Sequence, residues 1–117
     1  MAVDRGNERI SYLYKSLPLA VLRLIKSIVN AGHQQGVWVG MCGEMAATPL
    51  ATIILLGLGL DELSVTPAIL PEIKSIIRSI TFGEAERIAE KALQLSTSKE
   101  VENFMYRIME KRFKDFL

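Results

Sequence analysis

The one cysteine of the chain, Cys42, lies at the end of an apolar run and between two glycines. Residues 37–44 are Val-Trp-Val-Gly-Met-Cys-Gly-Glu, so Gly40 and Gly43 flank the Met-Cys pair. The apolar residues predict a buried strand, and the glycines allow backbone or a ligand to come close. A thiol at the carboxyl end of a parallel strand lies where α/β proteins place their chemistry. Cys42 is therefore the first candidate for a reactive residue; the alternative is an inert packed thiol, the common state of a free cysteine.

Length, charge and cysteine content limit the class of protein. The chain has 117 residues, of which 50% are hydrophobic, and this suits one domain with its own core. Its 14 basic and 13 acidic residues form no long run of one sign, which argues against a nucleic-acid partner or a membrane anchor. A single cysteine excludes an internal disulfide and predicts a reducing, cytoplasmic location. One His and one Cys give no spacing typical of a metal site.

Helical and extended patterns alternate along the chain. Helices are predicted at residues 18–32, 48–56, 71–78 and 82–95 and after residue 98, with a proline near the start of the first three. Strands are predicted at residues 37–41 and 62–65, a short helical turn at 10–14, and a loop at 1–9. The run at 50–60 is too short to span a bilayer, so we expect a helix buried against a sheet. No apolar segment at the start resembles a signal peptide.

Details of the helix ends can also be predicted. We expect Thr48 to be the N-cap residue of the second helix, and Gly32 and Gly57 to end the first and second. The strand-helix-strand order implies parallel strands with a right-handed crossover. Two parallel strands alone do not make a stable sheet, so the pattern is typical of a part of a larger α/β structure.

Three motifs in order resemble the phosphoenolpyruvate-utilising enzymes. They are Asp-Arg-Gly-Asn at residues 4–7, Met-Cys-Gly-Glu at 41–44 and Gly-Leu-Asp-Glu-Leu-Ser at 59–64. Within that group the chain looks most like the Enzyme I family of the bacterial phosphotransferase system, the phosphoenolpyruvate–protein phosphotransferases. The resemblance extends over residues 2–109. Pyruvate phosphate dikinase and phosphoenolpyruvate synthase, which share the Cys-Gly-Glu motif, are the alternative.

The resemblance implies that the chain is the C-terminal part of a (β/α)8 barrel. Residues 37–41 and 62–65 would be strands seven and eight, with helices six, seven and eight at the first three predicted helices. We expect one partial phosphoenolpyruvate-binding domain over residues 1–117, an α/β fragment with two parallel strands and five helices. The first six strands and the domain with the phosphorylated histidine would be absent from it.

The same resemblance implies phosphoryl transfer from phosphoenolpyruvate to a protein histidine, with release of pyruvate, in sugar transport. Cys42 would donate the proton to the enolate carbon, which suits a thiol with a reference pKa of about 8.5. Arg5 would bind the phosphate through its planar guanidinium. Gly43 would let substrate approach the backbone. Glu44 would either hydrogen-bond around the site or be an ordinary loop carboxylate, and Asn7 would shape its loop.

The resemblance also implies partners that this chain cannot hold alone. Mg²⁺ would be bound in the intact enzyme by residues outside the chain, and the phosphocarrier histidine protein by the absent N-terminal domains. A homo-oligomer, a dimer through the barrel, is expected. The alternative is an inert fragment that keeps only an oligomerisation surface. His33, near a helix end, is predicted to have a structural role, and Trp38 is predicted to pack in the core or against a helix and not to bind a ligand.

Overall fold

A computed structural model describes residues 17–113, which form five α-helices and two short parallel strands. The predictions for residues 1–9, 10–14, Arg5 and Asn7 lie outside the described residues. In chain order the elements are α1 (Leu19–Gln34), β1 (Gly40–Met41), a 3₁₀ turn (Met45–Ala47), α2 (Pro49–Gly57), β2 (Glu62–Leu63), α3 (Leu70–Arg78), α4 (Phe82–Leu93) and α5 (Ser98–Arg112).

All five predicted helices are present, and α2 is the centre of the core. This helix is apolar all round, and Ile53, Ile54 and Leu55 have no exposed surface. It packs against α3, α4 and α5, while Leu22 and Val29 of α1 join the same core. A helix that is apolar on every side has to be buried on every side, which agrees with the prediction from the run at 50–60.

Glycine has a different function at the helix ends from the one predicted. Helix α1 continues past Gly32 to Gln34, and the left-handed residue after it is Gly36, with φ 70°. Gly57 lies within α2 as its last residue, and the left-handed residue there is Gly59, with φ 98°. The prediction that Gly32 ends its helix is therefore wrong, whereas α2 does end at Gly57 as predicted. Both glycines are needed for close packing: a Cβ at Gly32 would lie 2.6 Å from Cγ2 of Val39.

Thr48 is the N-cap residue of α2, as predicted, but its side chain does not cap the helix. Its Oγ1 donates to the Glu44 carbonyl oxygen at 2.7 Å instead of accepting from a helix N–H. Side-chain caps occur at α4 and α5, where Thr81 and Thr97 each accept from a backbone N–H at 3.1 Å. Thr48 instead ties the start of α2 to the turn that follows β1.

The strands are parallel, as predicted, but only two residues long. Gly40 pairs with Glu62 and Met41 with Leu63. The Ser64 N–H donates to the Met41 carbonyl oxygen at 2.8 Å and continues the ladder by one step. Within residues 17–113 each strand has one neighbour, so the rest of each predicted strand has nothing to pair with. Within the same residues no helix has the length and apolarity needed to cross a bilayer.

Candidate site at the carboxyl ends of the strands

Cys42 directly follows β1, at the carboxyl end of the strand, and is a free, exposed thiol. The alternative of a packed cysteine in the core does not fit this position. Carboxyl ends of parallel strands are where barrel enzymes assemble their active sites. The thiol is thus accessible to a ligand at the functional end of the sheet.

Gly43 turns the chain away from the sheet. Its φ is 105°, a conformation that L side chains rarely adopt. Apart from its chain neighbours, no atom of the described residues lies within 4 Å of where a Cβ would be. Gly43 is therefore required by the backbone conformation, and the space beside Cys42 is open.

Glu44 begins the 3₁₀ turn (Met45–Ala47) as its N-cap residue. Its carbonyl oxygen accepts from the Ala47 N–H at 3.1 Å and from Thr48 Oγ1 at 2.7 Å. These two bonds fix the backbone that leaves Cys42 and leads into the buried helix α2. The immediate surroundings of the thiol are consequently attached to the buried helix at the centre of the core.

Ser64 lies beside this site, although the sequence pattern did not single it out. It follows β2 as Cys42 follows β1, and the pairing of Met41 with Leu63 makes the two residues cross-strand neighbours. The only information that could have found it is the register of the two strands. Register depends on contacts between residues far apart in the chain and is not visible in either motif.

His33 has a structural role at the opposite end of the strands. Its Nε2 lies 2.7 Å from Oδ2 of Asp61, and the same oxygen accepts from the Val39 N–H at 2.9 Å. The Val39 hydrogen bond and then the His33 hydrogen bond lower the pKa of Asp61 below its ordinary value. Asp61 therefore joins the end of α1 to the residues that precede both strands.

Trp38 is not packed as predicted. It is 73% exposed, on the part of the chain that enters β1. Val39 and Met41 alternate with it and pack against the core. Trp38 therefore points to the opposite face of the sheet, which the helices of residues 17–113 do not cover.

The described residues do not fit a metal centre. Among residues 17–113 no three His, Cys, Asp or Glu side chains are grouped closely enough to hold an ion. The Mg²⁺ that the resemblance implies has no ligand set in this part of the chain, and no step is derived through it.

The parallel strand-helix-strand unit, with a thiol and a glycine turn at the carboxyl end of its first strand, fits a segment of a (β/α)8 barrel. A family model described as the PEP-binding domain of PEP-utilising enzymes matches residues 1–82. The chain belongs to this family.

Several curated relatives are close in sequence. Phosphoenolpyruvate-protein phosphotransferase of Buchnera aphidicola subsp. Acyrthosiphon pisum is 49% identical over 105 residues, which are 90% of this chain. The proteins of the same name from Haemophilus influenzae and Geobacillus stearothermophilus are each 47% identical, over 90% and 92% of this chain. The chain spans 18% of the length of each of these relatives.

Proposed function

We propose that the chain forms part of the phosphoenolpyruvate site of a phosphotransferase that phosphorylates a protein histidine and releases pyruvate, in sugar uptake. The observation that carries this proposal is the exposed Cys42 thiol at the carboxyl end of β1, in a chain of the PEP-utilising family. The name of the relatives, phosphoenolpyruvate-protein phosphotransferase, favours this activity over that of a dikinase or a synthase.

Cys42 acts in this proposal as the acid that completes pyruvate. Loss of the phosphoryl group leaves an enolate, whose methylene carbon takes the proton from sulfur as the carbonyl bond forms. The thiolate then regains a proton from water. A thiol is mostly protonated near neutral pH and can still give up its proton, which suits this step.

The other proposed residues bind the substrate or shape the loops around it. Arg5 would bind the phosphate of the substrate through paired N–H donors. Gly43 leaves room for the substrate beside the thiol, while Glu44 and Asn7 would hold the loops around it. Mg²⁺ and the histidine phosphocarrier protein would be bound by other parts of the intact, cytoplasmic enzyme.

The test combines the chain with a polypeptide that supplies the first six strands and the N-terminal domains. Exchange of the pyruvate methyl protons with heavy water is measured by nuclear magnetic resonance, beside phosphorylation of the histidine. Cys42→Ala should slow the exchange about 100-fold or more, because proton transfer from a positioned group contributes about 10²–10⁴-fold. Phosphorylation, which needs no proton from sulfur, should persist.

Two results would contradict the proposal. Equal exchange in Cys42→Ala and the unmodified chain would exclude the thiol as proton donor. Exchange and phosphorylation no faster with the chain than with the complementing polypeptide alone would mean that the chain supplies no part of the site. Ser75→Ala, an exposed change on α3, is the control for handling and assembly.

A second candidate function is association with another copy of the chain. Val21, Leu24 and Ile28 form an apolar stripe on α1, and Leu24 is 59% exposed. Such a stripe and unpaired strand edges favour self-association. Sedimentation equilibrium should show an oligomer, and Leu24→Ser should weaken it. Phe82→Ser, which removes an exposed apolar side chain from α4, is the control and should leave the oligomer intact. A monomer at all concentrations would exclude this function.

A further inference from the structure

Cys42 lies in a short turn that is fixed at both ends. On one side the Met41 carbonyl oxygen accepts from the Ser64 N–H at 2.8 Å and so belongs to the strand ladder. On the other side the Glu44 carbonyl oxygen accepts two hydrogen bonds, from the 3₁₀ turn and from the start of α2. Only Cys42 and Gly43 separate the two fixed residues, and the φ of Gly43 is 105°. With so few residues between them, the position of the thiol depends on how firmly both ends are held.

One of the two hydrogen bonds at Glu44 comes from a side chain that would ordinarily do something else. Thr48 is the N-cap residue of α2, where a threonine hydroxyl typically accepts from a helix N–H. Its Oγ1 forms no such cap and donates instead to the Glu44 carbonyl oxygen at 2.7 Å. The same oxygen accepts from the Ala47 N–H at 3.1 Å. The hydroxyl of Thr48 thus holds the turn that carries the thiol rather than the helix that it begins.

The other end of this link is anchored in the core. The Thr48 carbonyl oxygen accepts from the Ala51 N–H at 2.9 Å and from Thr52 Oγ1 at 3.3 Å. Ala51 and Thr52 have no exposed surface. Because close-packed interiors yield little, the start of α2 is a fixed point from which the hydroxyl can hold the turn.

We propose that Thr48 is a positioning residue for Cys42: by holding the Glu44 carbonyl oxygen, its hydroxyl keeps the thiol at the place from which it protonates the enolate. This inference rests on the proposed function of Cys42. In that step the S–H bond breaks and leaves its electron pair on sulfur, while the π electrons of the enolate form the new C–H bond and the carbonyl of pyruvate is restored. The rate of such a step depends steeply on the position of the reacting group.

The test uses the chain combined with the polypeptide that supplies the other strands and the N-terminal domains. Exchange of pyruvate protons and phosphorylation of the histidine are measured for each variant. Thr48→Val removes the hydroxyl and keeps the shape, and Thr48→Ser keeps a hydroxyl. Thr48→Asp can accept from helix N–H groups as a good N-cap residue, but it has no proton to donate to the Glu44 carbonyl oxygen. Thr52→Val is the matched control, because it removes a hydroxyl that also donates to the carbonyl four residues earlier, but within α2.

We expect Thr48→Val and Thr48→Asp to slow proton exchange about threefold to tenfold, an effect of the size that loss of one hydrogen bond produces. Phosphorylation should stay within about twofold, because it takes no proton from sulfur. Thr48→Ser and Thr52→Val should leave the ratio of the two rates unchanged. In the 117-residue chain alone, amide hydrogen exchange of Ala47 should accelerate in the valine and aspartate variants only, because its N–H shares the acceptor with Thr48.

Three results would overturn the inference. The first is normal proton exchange in Thr48→Val beside slow exchange in Cys42→Ala, which would leave the proposed function intact. The second is an equal fall of proton exchange and phosphorylation, because this pattern indicates a general loss of structure or assembly. The third is full activity of Thr48→Asp, which would mean that Thr48 serves only to begin α2. The proposed function fails separately, if Cys42→Ala keeps normal exchange of pyruvate protons.

Discussion

Gly57 of α2 lies against the backbone of Ala85 in α4, so close that a Cβ at Gly57 would be 2.1 Å from the Ala85 carbonyl oxygen. The obstacle is main chain and cannot rotate away as a side chain could. This close approach of the central helix to α4 therefore depends on the absence of one methyl group.

Gly57→Ala should be strongly destabilising for this reason. Overpacking of a core costs about 1–3 kcal/mol and occasionally more, and a backbone obstacle puts this site at the upper end. Urea denaturation measures the loss. Gly83→Ala is the matched control, because its new methyl group would meet only the flexible end of Arg87 at 3.8 Å. Equal stability of the two variants would contradict the packing argument.

Removal of the Asp61 carboxylate should change how stability depends on pH. Its pKa in the folded chain is lowered below the ordinary value of 3.8, so its contribution to stability is complete above that value and is lost as the pH falls through the folded pKa. Asp61→Asn should therefore unfold at a lower urea concentration at neutral pH, and the gap should shrink below pH 3.8. Glu90→Gln, an exposed change on α4, should show no such pattern. A gap that stays constant down to pH 2 would contradict the assignment.

Arg23 should hold the end of α4. Its Nη2 donates to the carbonyl oxygen of Leu93, the last residue of α4, at 2.9 Å and to that of Leu95, just beyond the helix, at 3.1 Å. The last carbonyls of a helix have no partner within it. Arg23→Lys keeps the charge and loses the forked geometry. We expect a loss of about 0.5–1 kcal/mol, because the site is exposed and water replaces part of the bond. Hydrogen exchange should accelerate in the last turn of α4 and not in α3; uniform acceleration would indicate a global effect instead.

The two threonine caps should each contribute to stability. Thr97 accepts from the Glu100 N–H, and Thr81 accepts from the Glu84 N–H. Replacement of an N-cap threonine by alanine costs about 1 kcal/mol. Thermal unfolding of Thr81→Ala and Thr97→Ala should show this loss. Thr66→Ala, in an exposed loop, is the control, and a loss of equal size there would contradict a capping role.

The helices were predictable because their starts and core faces are local features. Prolines near helix starts and apolar residues at helical spacing are visible in a short window of sequence. The contacts that fix the ends of the elements are not local. The partners of His33 and Arg23 are 28 and 70 residues away. The close contact of Gly57 with Ala85 is not predictable either, because Ala85 belongs to a helix that follows later in the chain.

The same distinction applies to the candidate site. Cys42 could be identified because an apolar run, a thiol and two glycines are adjacent in the chain. Ser64 could not, because nothing in either motif gives the register of two separate strands. The predicted packing of Trp38 in the core or against a helix fails for the same reason, because strand pairing decides the face to which the indole points.

The exposed indole of Trp38 makes the chain its own optical reporter. It is the only tryptophan, it is 73% exposed, and it lies on the open face of the sheet. Its fluorescence should therefore have the long-wavelength emission of an indole in water. Addition of the polypeptide that supplies the other strands should move the emission to shorter wavelength and protect the ring from acrylamide. Assembly of the barrel could be followed in real time in this way, without a label.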